Sequence, residues 1–359
     1  MDALTPVMLA DLARVAEEAG LLRLSPVRLD HPGFAPANDA LDRYLDAGRE
    51  GEMGFLSRTR AVRKAPGSML EGAQTLLVGL VPYEGAPGPV ARYAQSVDYH
   101  SEMYRRFDVV AQALRGHLPE AESLICVDTK PVQERAAAVL AGLGFLGKNG
   151  MLITPGLGSF VLVGSLLTTA ACEAPEAAVD LEQARWDACG QCRRCLDACP
   201  TDAFTAVGEL DPRRCIAYLT IEHRGPVDEA LQDQIGERVA GCDVCQDVCP
   251  YNAGRGRAEP VALSAQLPPP AGEPRDADPV TLATIRSGRY RAFVKDTALR
   301  RIPRRHMQRN ALIALGNRPG PLTPAEHAAA SDAVDAEDPQ VRGAAQRVLR
   351  RRGPSTDKR

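Results

Sequence analysis

The sequence predicts an α+β protein with several domains, and three observations indicate this. Between residues 75 and 167, apolar segments typical of strands alternate with segments typical of helices. Eight of the ten cysteines lie between residues 189 and 249. Beyond residue 281 the chain reads as helical, and 359 residues suffice for two or three domains. The predicted units are an α/β domain (1–175), a cysteine-rich domain (176–256), a Pro-rich linker (257–280) and an all-α tail (281–359).

Hydrophobic periodicity locates the elements of the first unit. We predict helices over 8–20, 98–118 and 131–141 and strands over 75–81, 124–127 and 160–167. The helix over 98–118 is expected to bury Tyr104 and Phe107 on one face. The strand over 124–127 is followed directly by Asp128. A carboxylate after a buried strand is a candidate site residue, and a helix N-cap is the alternative.

Two cysteine motifs dominate the second unit. The first has the bacterial ferredoxin spacing, in which three thiolates bind one [4Fe–4S] cluster and the fourth binds a second cluster. It consists of Cys189, Cys192, Cys195 and Cys199-Pro200, and the second motif consists of Cys242, Cys245 and Cys249-Pro250. C-x2-C pairs also bind zinc, but the C-x3-C-P ending of both motifs favours iron–sulfur clusters.

The two motifs supply seven thiolates, whereas two clusters need eight. Exchanging the last cysteine of each motif assigns Cys189, Cys192, Cys195 and Cys249 to cluster one, and Cys199, Cys242, Cys245 and one more residue to cluster two. Cys215 is the natural candidate, because Asp211-Pro212 predicts a helix start that places Cys215 on the first turn. Cys126 and Cys172 are interpreted as ordinary small core residues.

Two further motifs are incomplete. The G-x-G-x-x-G run over 142–147 follows a predicted helix, whereas a dinucleotide-binding turn follows a strand. We interpret the glycines of residues 144–158 as a wall cleared for a flat or bulky group. Asp98-Tyr99-His100 begins like the D-x-H-x-x-G pattern that offers cobalt a histidine, but Met103 replaces the glycine. Asp98 is therefore expected to be a helix cap.

Charge predicts one candidate nucleic-acid surface. The net charge is −3, but the segment 286–309 carries nine Lys or Arg against Asp296 alone. Such a segment is either a phosphate-binding surface or a solvated face. In the tail beyond it, residues 323–326 form a capping box, and Arg309–Leu312 and Arg342–Ala345 recur 33 residues apart, which suggests HEAT-like repeats.

Nothing in the sequence predicts export or membrane insertion. Charged residues interrupt the first 25 positions, and the longest apolar run, over 160–172, is too short for a membrane span. We therefore expect a cytoplasmic protein without a membrane partner.

Taken together, nine motifs resemble those of the epoxyqueuosine reductase family, over roughly residues 10–255. They are Gly54–Arg58, Arg92-Tyr93, Asp98–His100, Val127-Asp128, Glu134-Arg135, Ala141–Asn149, Gly158–Phe160, Cys215–Glu222 and Gly241–Gln246. The resemblance implies a monomeric, cobalamin-dependent oxidoreductase with two [4Fe–4S] clusters and an external low-potential electron donor. Its implied reaction removes the epoxide oxygen from epoxyqueuosine at the wobble position of tRNA, giving queuosine.

The resemblance also implies roles for individual residues. Asp128 is the expected proton donor, with a pKa raised by desolvation. The expected cobalamin contacts are Arg58, Asp128, Leu152, Val163, Leu167, Ala217, Asp243 and Val244, with no histidine ligand. With tRNA as the implied substrate, the charged segment supplies the expected tRNA contacts Arg300, Arg301, Arg304 and Arg305, and Glu222 is expected to join them. The resemblance also implies that Cys215 is the fourth ligand of cluster two. A cobalamin-dependent reductive dehalogenase-like enzyme and a ferredoxin-type electron-transfer module are the alternatives.

Overall fold

The structure, a computed structural model, describes residues 3–172, 186–253, 265–272 and 277–353. The predicted domain boundaries at 175/176 and 256/257, and much of the 257–280 linker, lie outside the described residues. The boundaries and the linker stay predictions.

The N-terminal unit is built on a four-stranded sheet flanked by helices. Its elements are β1 (Ala3–Leu4), α1 (Pro6–Glu18), β2 (Leu22–Arg28), α2 (Phe34–Asp46), α3 (Phe55–Arg58), α4 (Arg60–Lys64), β3 (Thr75–Pro82), α5 (Tyr99–His117), β4 (Ser123–Cys126), α6 (Glu134–Leu140), β5 (Phe145–Leu146), β6 (Leu152–Ile153), β7 (Val161–Thr168) and β8 (Ala171–Cys172). The strand order of the main sheet is β2-β3-β7-β4, and all three pairings are antiparallel. Two short pairs, β1 with β8 and β5 with β6, lie outside it.

Helices cover both faces of this sheet, because the buried strand β3 has apolar side chains pointing both ways. Leu76 and Val78 pack with α6 on one face, and Leu77 and Val81 pack with α1 and α5 on the other. The result is a three-layer α/β/α arrangement. It fixes the ends of β4 and β7, which carry the candidate site.

The predicted helices and strands are confirmed within about three residues at each end. β2 and α2 were not predicted, and neither was the antiparallel pairing of the strands. Tyr104 was expected in the core but is 53% exposed. It lies outside the stripe of α5 that buries Met103, Phe107, Val110 and Leu114 against the sheet.

The cysteine-rich unit consists of short elements. They are α7 (Arg194–Asp197), β9 (Phe204–Ala206), β10 (Glu209–Leu210), α8 (Ile216–Ile221), α9 (Glu229–Ile235) and α10 (Val244–Asp247). The tail is helical, as predicted: α11 (Pro279–Ala283), α12 (Ser287–Phe293), α13 (Arg304–Asn317), α14 (Pro324–Ala333) and α15 (Pro339–Arg352). Thr323 and Glu326 form the predicted capping box at α14. The two recurring segments lie within α13 and α15 rather than at their starts, and the HEAT-like assignment stays a prediction.

The tail and the cysteine-rich unit share one apolar core. Residues of α8 such as Leu219 pack in the same cluster as Met307 and Leu312 of α13. Arg309 and Asn310 reinforce this junction, although Arg309 belongs to the predicted basic segment. Both are buried, and Asn310 donates to the carbonyls of residues 220 and 239 at 2.8 Å. Arg309 donates to the carbonyls of residues 219, 223 and 225. Arg309 is therefore a structural cation and cannot contact phosphate.

Candidate active site

Cysteines that the exchanged scheme assigns to the same cluster lie near one another, and the ligand assignment itself stays a prediction. Cys189, Cys192, Cys195 and Cys249 line one cavity of about 530 Å³. Burial raises the pKa of the Cys195 thiol to about 11, and the neighbouring Cys189 and Cys249 thiols contribute to this shift. Cys249 is thus part of the first group although 54 residues of chain separate it from Cys195.

The second group contains Cys215. Burial raises the pKa of the Cys245 thiol, and the nearby thiols of Cys242, Cys215, Cys195 and Cys199 add to the effect. The Cys199 thiol also acts on the Cys215 thiol. Among the described residues, no three His, Cys, Asp or Glu side chains converge closely enough for a single metal ion. Each thiolate of a [4Fe–4S] site binds a different iron atom, so these ligands are spread around a cube rather than around a point. The two groups fit two such clusters.

The backbone around Cys215 differs in detail from the expectation. Asp211 caps a 3-10 turn over Pro212–Arg214, and Cys215 follows as the N-cap residue of α8 instead of lying on the first turn. Burial raises the pKa of its thiol, while hydrogen bonds from the backbone of Tyr218 and Ala217 oppose that shift. Backbone N–H groups directed at a cysteine sulfur are among the interactions that tune iron–sulfur clusters.

The cysteine-rich unit is fixed to the sheet through the glycine-dense loop. The Ser159 N–H donates to Asn252 Oδ1 at 2.7 Å, and the Asn149 amide donates to the Cys245 carbonyl at 3.3 Å. A Cβ at Gly158, whose φ is +82°, would lie 2.1 Å from Asn252 Oδ1, and one at Gly144 would lie 2.3 Å from the Ile153 carbonyl oxygen. These glycines therefore permit close packing within the chain. At Gly144 and Gly158 the absent side chain makes room for other parts of the same chain, which corrects the interpretation that these two glycines make room for a bound group.

Asp128 lies where β4 leaves the sheet. Cys126 of β4 pairs with Ser165 of β7, so Asp128 leaves the sheet beside Val163. Its φ is +47°, a left-handed conformation that Asp and Asn tolerate better than most residues. Its N–H donates to Glu134 Oε1 at 2.7 Å, and its side chain is 58% exposed. α6 begins six residues later with Gln133 at its N-cap, so Asp128 does not cap that helix.

Two side chains from the start of α5 hold the Asp128 carboxylate. The Tyr99 hydroxyl donates to Oδ2 at 3.1 Å, and His100 Nε2 lies 3.0 Å from the same oxygen. The hydrogen bond from His100 is the main reason that the pKa of Asp128 is lowered, against the effect of burial. The expectation that desolvation raises this pKa is therefore wrong for the structure described.

Beneath Asp128, Glu134 behaves in the opposite way. Burial raises the pKa of Glu134 to about 8, and the nearby negative charge of Asp128 adds to the effect. Around neutral pH Glu134 is therefore largely protonated, while Asp128 is ionised. Two adjacent carboxyl groups are thus held in different protonation states by their environments.

Residues predicted for different roles meet around Asp128. Tyr93 is half-buried, and desolvation raises its pKa, with the charges of Asp128, Glu222 and Asp243 contributing to that shift. Arg301 also lies within electrostatic reach of Asp128 and forms an ion pair with Glu222. Its guanidinium lies 5.5 Å from the ring centroid of Phe55, which precedes Arg58 in the same motif. Arg301 therefore lies within electrostatic reach of Asp128, and Phe55 lies beside Arg301.

The other predicted cofactor contacts differ in accessibility. Val163, Ala217 and Val244 are half-buried, and Arg58 is exposed. Leu152 is nearly buried, and Leu167 exposes no surface because it lies in the sheet core, where it pairs with Leu76 and Leu124. The position of Leu167 does not support a direct contact with a bound group.

The basic segment is also divided by its contacts. Arg300 and Arg305 are exposed, and Arg305 lies 3.7 Å from Asp338. Arg301 is neutralised by Glu222. Arg304 donates to the Ile285 carbonyl and to Gln308. Of the predicted tRNA contacts, Arg300 is therefore the cation with the fewest competing contacts among these described residues.

Comparisons with known proteins agree with this geometry. The sequence family described as "4Fe-4S double cluster binding domain" matches residues 188–252. The epoxyqueuosine reductase of Gloeobacter violaceus is 35% identical over 292 residues, covering 78% of this chain and 87% of the relative. That of Xanthomonas campestris is 32% identical over 327 residues, covering 87% of each chain. The chain belongs to the epoxyqueuosine reductase family. It is accordingly an oxidoreductase.

Other comparisons extend this result. The epoxyqueuosine reductase of Synechococcus strain RCC307 is 42% identical over 219 residues, which are 59% of this chain and 65% of the relative. The fold matches a crystal structure of an epoxyqueuosine reductase with an epoxyqueuosine-modified tRNA-Tyr stem loop, with a TM-score of 0.79 at 24% identity over 96% of this chain and 90% of that one. The structure from Streptococcus thermophilus gives 0.80 at 24% identity, over 97% and 91%.

Membership of the epoxyqueuosine reductase family decides between the functions predicted from sequence. The resemblance is confirmed. The relatives are named as epoxyqueuosine reductases, not as reductive dehalogenases or electron-transfer ferredoxins. Separately, none of the helices in the described ranges is both long and apolar enough to cross a membrane.

Sequence reasoning missed three residues of the epoxyqueuosine reductase site. His100 was set aside with the failed cobalt pattern, and Tyr99 and Glu134 received no role. The confirmed Asp98 cap, two residues before His100, was the available signal, because it orients the first turn of α5. The pairing of that turn with Asp128 is a long-range contact that no local pattern contains.

The grouping of cysteines predicts the effect of Cys215→Ser. This change removes one ligand of the second group and leaves the first group intact, so iron should fall from about eight to about four per chain. Iron analysis and the EPR spectrum of the reduced protein measure this. Cys172→Ser, outside both groups, is the matched control and should keep the full iron content. Full iron in Cys215→Ser would mean that the eighth ligand lies elsewhere.

Proposed function

We propose that this chain reduces the epoxide of epoxyqueuosine at the wobble position of a tRNA to the alkene of queuosine, with cobalamin and two [4Fe–4S] clusters as cofactors. The observation that carries this proposal is the convergence on Asp128. Arg301 of the basic segment acts on Asp128, and Glu222 at the end of α8 and Asp243 of the second cysteine motif act, together with Asp128, on the neighbouring Tyr93. A site built from the sheet, a cluster motif and a basic segment can bring together reductant, acid and nucleic acid.

The residues beside Asp128 suit a large, partly apolar cofactor. When bound, cobalamin supplies a reducible cobalt that delivers electrons to the substrate. Half-buried Val163, Ala217 and Val244 offer apolar surface, and exposed Arg58 offers a cation for polar substituents. Both ring nitrogens of His100 are engaged by carboxylates, so this histidine is not free to ligate a metal. This supports the expectation that the corrinoid has no histidine ligand.

The two cluster sites provide a path for electrons. The first group opens into the cavity lined by Lys148 and Arg194, where an external low-potential donor can approach. The second group includes Cys242 and Cys245, which bracket Asp243 and Val244 next to the proposed cofactor surface. Electrons therefore enter at the first site and leave at the second.

Asp128 supplies a proton in this proposal. Opening an epoxide to an alkene and water takes two electrons and two protons, and the departing oxygen needs an acid nearby. Asp128 is more than half exposed at the centre of the converging residues, so substrate can reach it. The Glu134 side chain accepts a hydrogen bond from the backbone N–H of Asp128 and so positions the Asp128 carboxylate.

Binding of tRNA is assigned to the exposed part of the basic segment. Arg300 and Arg305 are exposed and can contact phosphates, although Arg305 must do so beside Asp338, whereas the Arg301–Glu222 pair lies nearer Asp128 and suits recognition of the modified nucleoside. Phosphate contacts position a nucleic acid, and contacts near the reacting base select it. The two kinds of contact are thus carried by neighbouring residues.

Asp128→Asn tests the proton donor. Asn tolerates the left-handed backbone and retains size, but it has no proton to transfer. Iron content and cobalamin binding should therefore persist, while single-turnover conversion of epoxyqueuosine tRNA falls by about 10²–10⁴. Val109→Thr, on the far surface of α5, serves as a control. Conversion by Asp128→Asn at the normal rate would remove Asp128 from the mechanism.

Charge reversal tests the tRNA surface. Arg300→Glu with Arg305→Glu should weaken tRNA binding and flatten the plot of log affinity against log salt by about 1.5–2, because two phosphate contacts no longer release counterions. Arg14→Glu with Arg115→Glu, at exposed residues of α1 and α5, controls for the same change in net charge. Cluster content should stay constant in both proteins. An unaltered salt slope in the double variant would identify this segment as a solvated face.

A further inference from the structure

His100 is held between two carboxylates. Its Nδ1 lies 2.7 Å from Asp98 Oδ1, and its Nε2 lies 3.0 Å from Asp128 Oδ2. Asp98 is itself fixed, because it caps α5 by accepting the N–H of His100 at 3.1 Å. The imidazole also stacks on the ring of Tyr99, with centroids 4.0 Å apart. The ring is therefore fixed in position and in plane.

Charged and titratable groups reach this histidine and its two partners from several elements. They are Tyr93 of the 3-10 turn over 92–94, Asp98 and Tyr99 of the start of α5, Asp128 after β4, Glu134 of α6, and Arg300 and Arg301 of the 3-10 turn before α13. Two of these groups, Asp98 and Asp128, hydrogen-bond to His100 directly. The remainder act on the carboxylates or on Tyr99.

The balance of these contacts favours the imidazolium form. Burial opposes protonation of His100, but the hydrogen bonds to Asp128 and Asp98 outweigh it and raise the pKa of His100 to about 9. The same contact lowers the pKa of Asp128. Around neutral pH the pair is therefore an imidazolium beside a carboxylate, and an ionised Asp128 has no proton to give.

We propose that His100 is the positioning residue that stores the proton which Asp128 delivers to the substrate. The proposal rests on the function proposed above. It resolves the conflict between the role of Asp128 and its ionised state, since the proton lies one hydrogen bond away.

The transfer balances as follows. The Nε2–H bond of His100 breaks as an Oδ2–H bond forms on Asp128. The two electrons that arrive through the clusters release the epoxide oxygen from carbon. As this oxygen takes the proton, the Oδ2–H bond of Asp128 breaks. Asp98 stabilises the imidazolium before the transfer. The second proton, which completes water, comes from solvent, which reaches the half-exposed Asp128.

The proposal fixes the direction of a pH effect. The pair keeps its proton until the pH rises through the pKa of His100, so the wild-type single-turnover rate should be flat to about pH 8 and fall about tenfold per unit above pH 9. In His100→Gln the proton must come from Asp128 itself. The fall should then begin below pH 7, and the rate at pH 8 should be at least about tenfold below wild type. Glu134 is common to both proteins, so the difference between the two profiles isolates His100.

The experiment combines this profile with a direct titration. The full-length protein with oxidised clusters is labelled with 13C at histidine Cε1, and its six histidines are followed by NMR from pH 6 to 10. The signal missing from His100→Gln should titrate near pH 9 in wild type and at lower pH in Asp128→Asn. The matched control is His117→Gln, because His117 Nε2 contacts Asp11 at 2.8 Å at the other end of the same helix. This control should retain the wild-type rate profile.

Each outcome separates the two proposals. A His100 signal that titrates near the ordinary value of about 6.5, or a His100→Gln profile that coincides with wild type, overturns the role of His100. If in that case Asp128→Asn is still inactive, the proposed function stands without His100. If Asp128→Asn is fully active, the role of Asp128 fails together with that of His100. A His100→Gln protein that loses iron would report misfolding, and the wild-type titration then decides alone.

Discussion

The exchange of cysteines between the two motifs is the constraint on which the rest of the structure depends. Cys249 lines the same cavity as Cys189, Cys192 and Cys195, and the Cys199 thiol lies near Cys215, so residues 189–249 fold back on themselves as the exchange requires. This places Cys215 and the start of α8 at the second group and carries Glu222, at the end of α8, toward Asp128. Buried Arg309 and Asn310 then hold the tail on α8, so that the basic segment lies at the same place.

In the candidate active site, two neighbouring carboxyl groups have different protonation states. Asp128 and Glu134 are joined by a hydrogen bond, yet the pKa of one is lowered by His100 and that of the other is raised to about 8 by burial. Such a division lets one carboxyl group accept and pass a proton while the other only positions the backbone. Tyr99 and Arg301 complete the environment, from α5 and from the turn before α13.

The parts of this account that sequence could predict are those encoded by local spacing. The cysteine motifs, the Asp98 cap and Asp128 after a strand all follow from residues a few positions apart. The antiparallel order β2-β3-β7-β4, the burial of Arg309 and the contact of His100 with Asp128 depend on residues brought together only by folding. Leu167 could likewise not be placed from sequence, because its sequence neighbours do not reveal that it pairs with a strand on each side within the sheet.

The most direct test of this account is the position of iron in crystals of the anaerobically purified protein, measured by anomalous scattering at the iron edge. The account predicts two iron clusters, one among Cys189, Cys192, Cys195 and Cys249 and the other among Cys199, Cys215, Cys242 and Cys245. Iron at only one group, or a cluster ligated by Cys249 together with Cys242 and Cys245, would contradict the exchange and with it the proposed path of electrons toward Asp128.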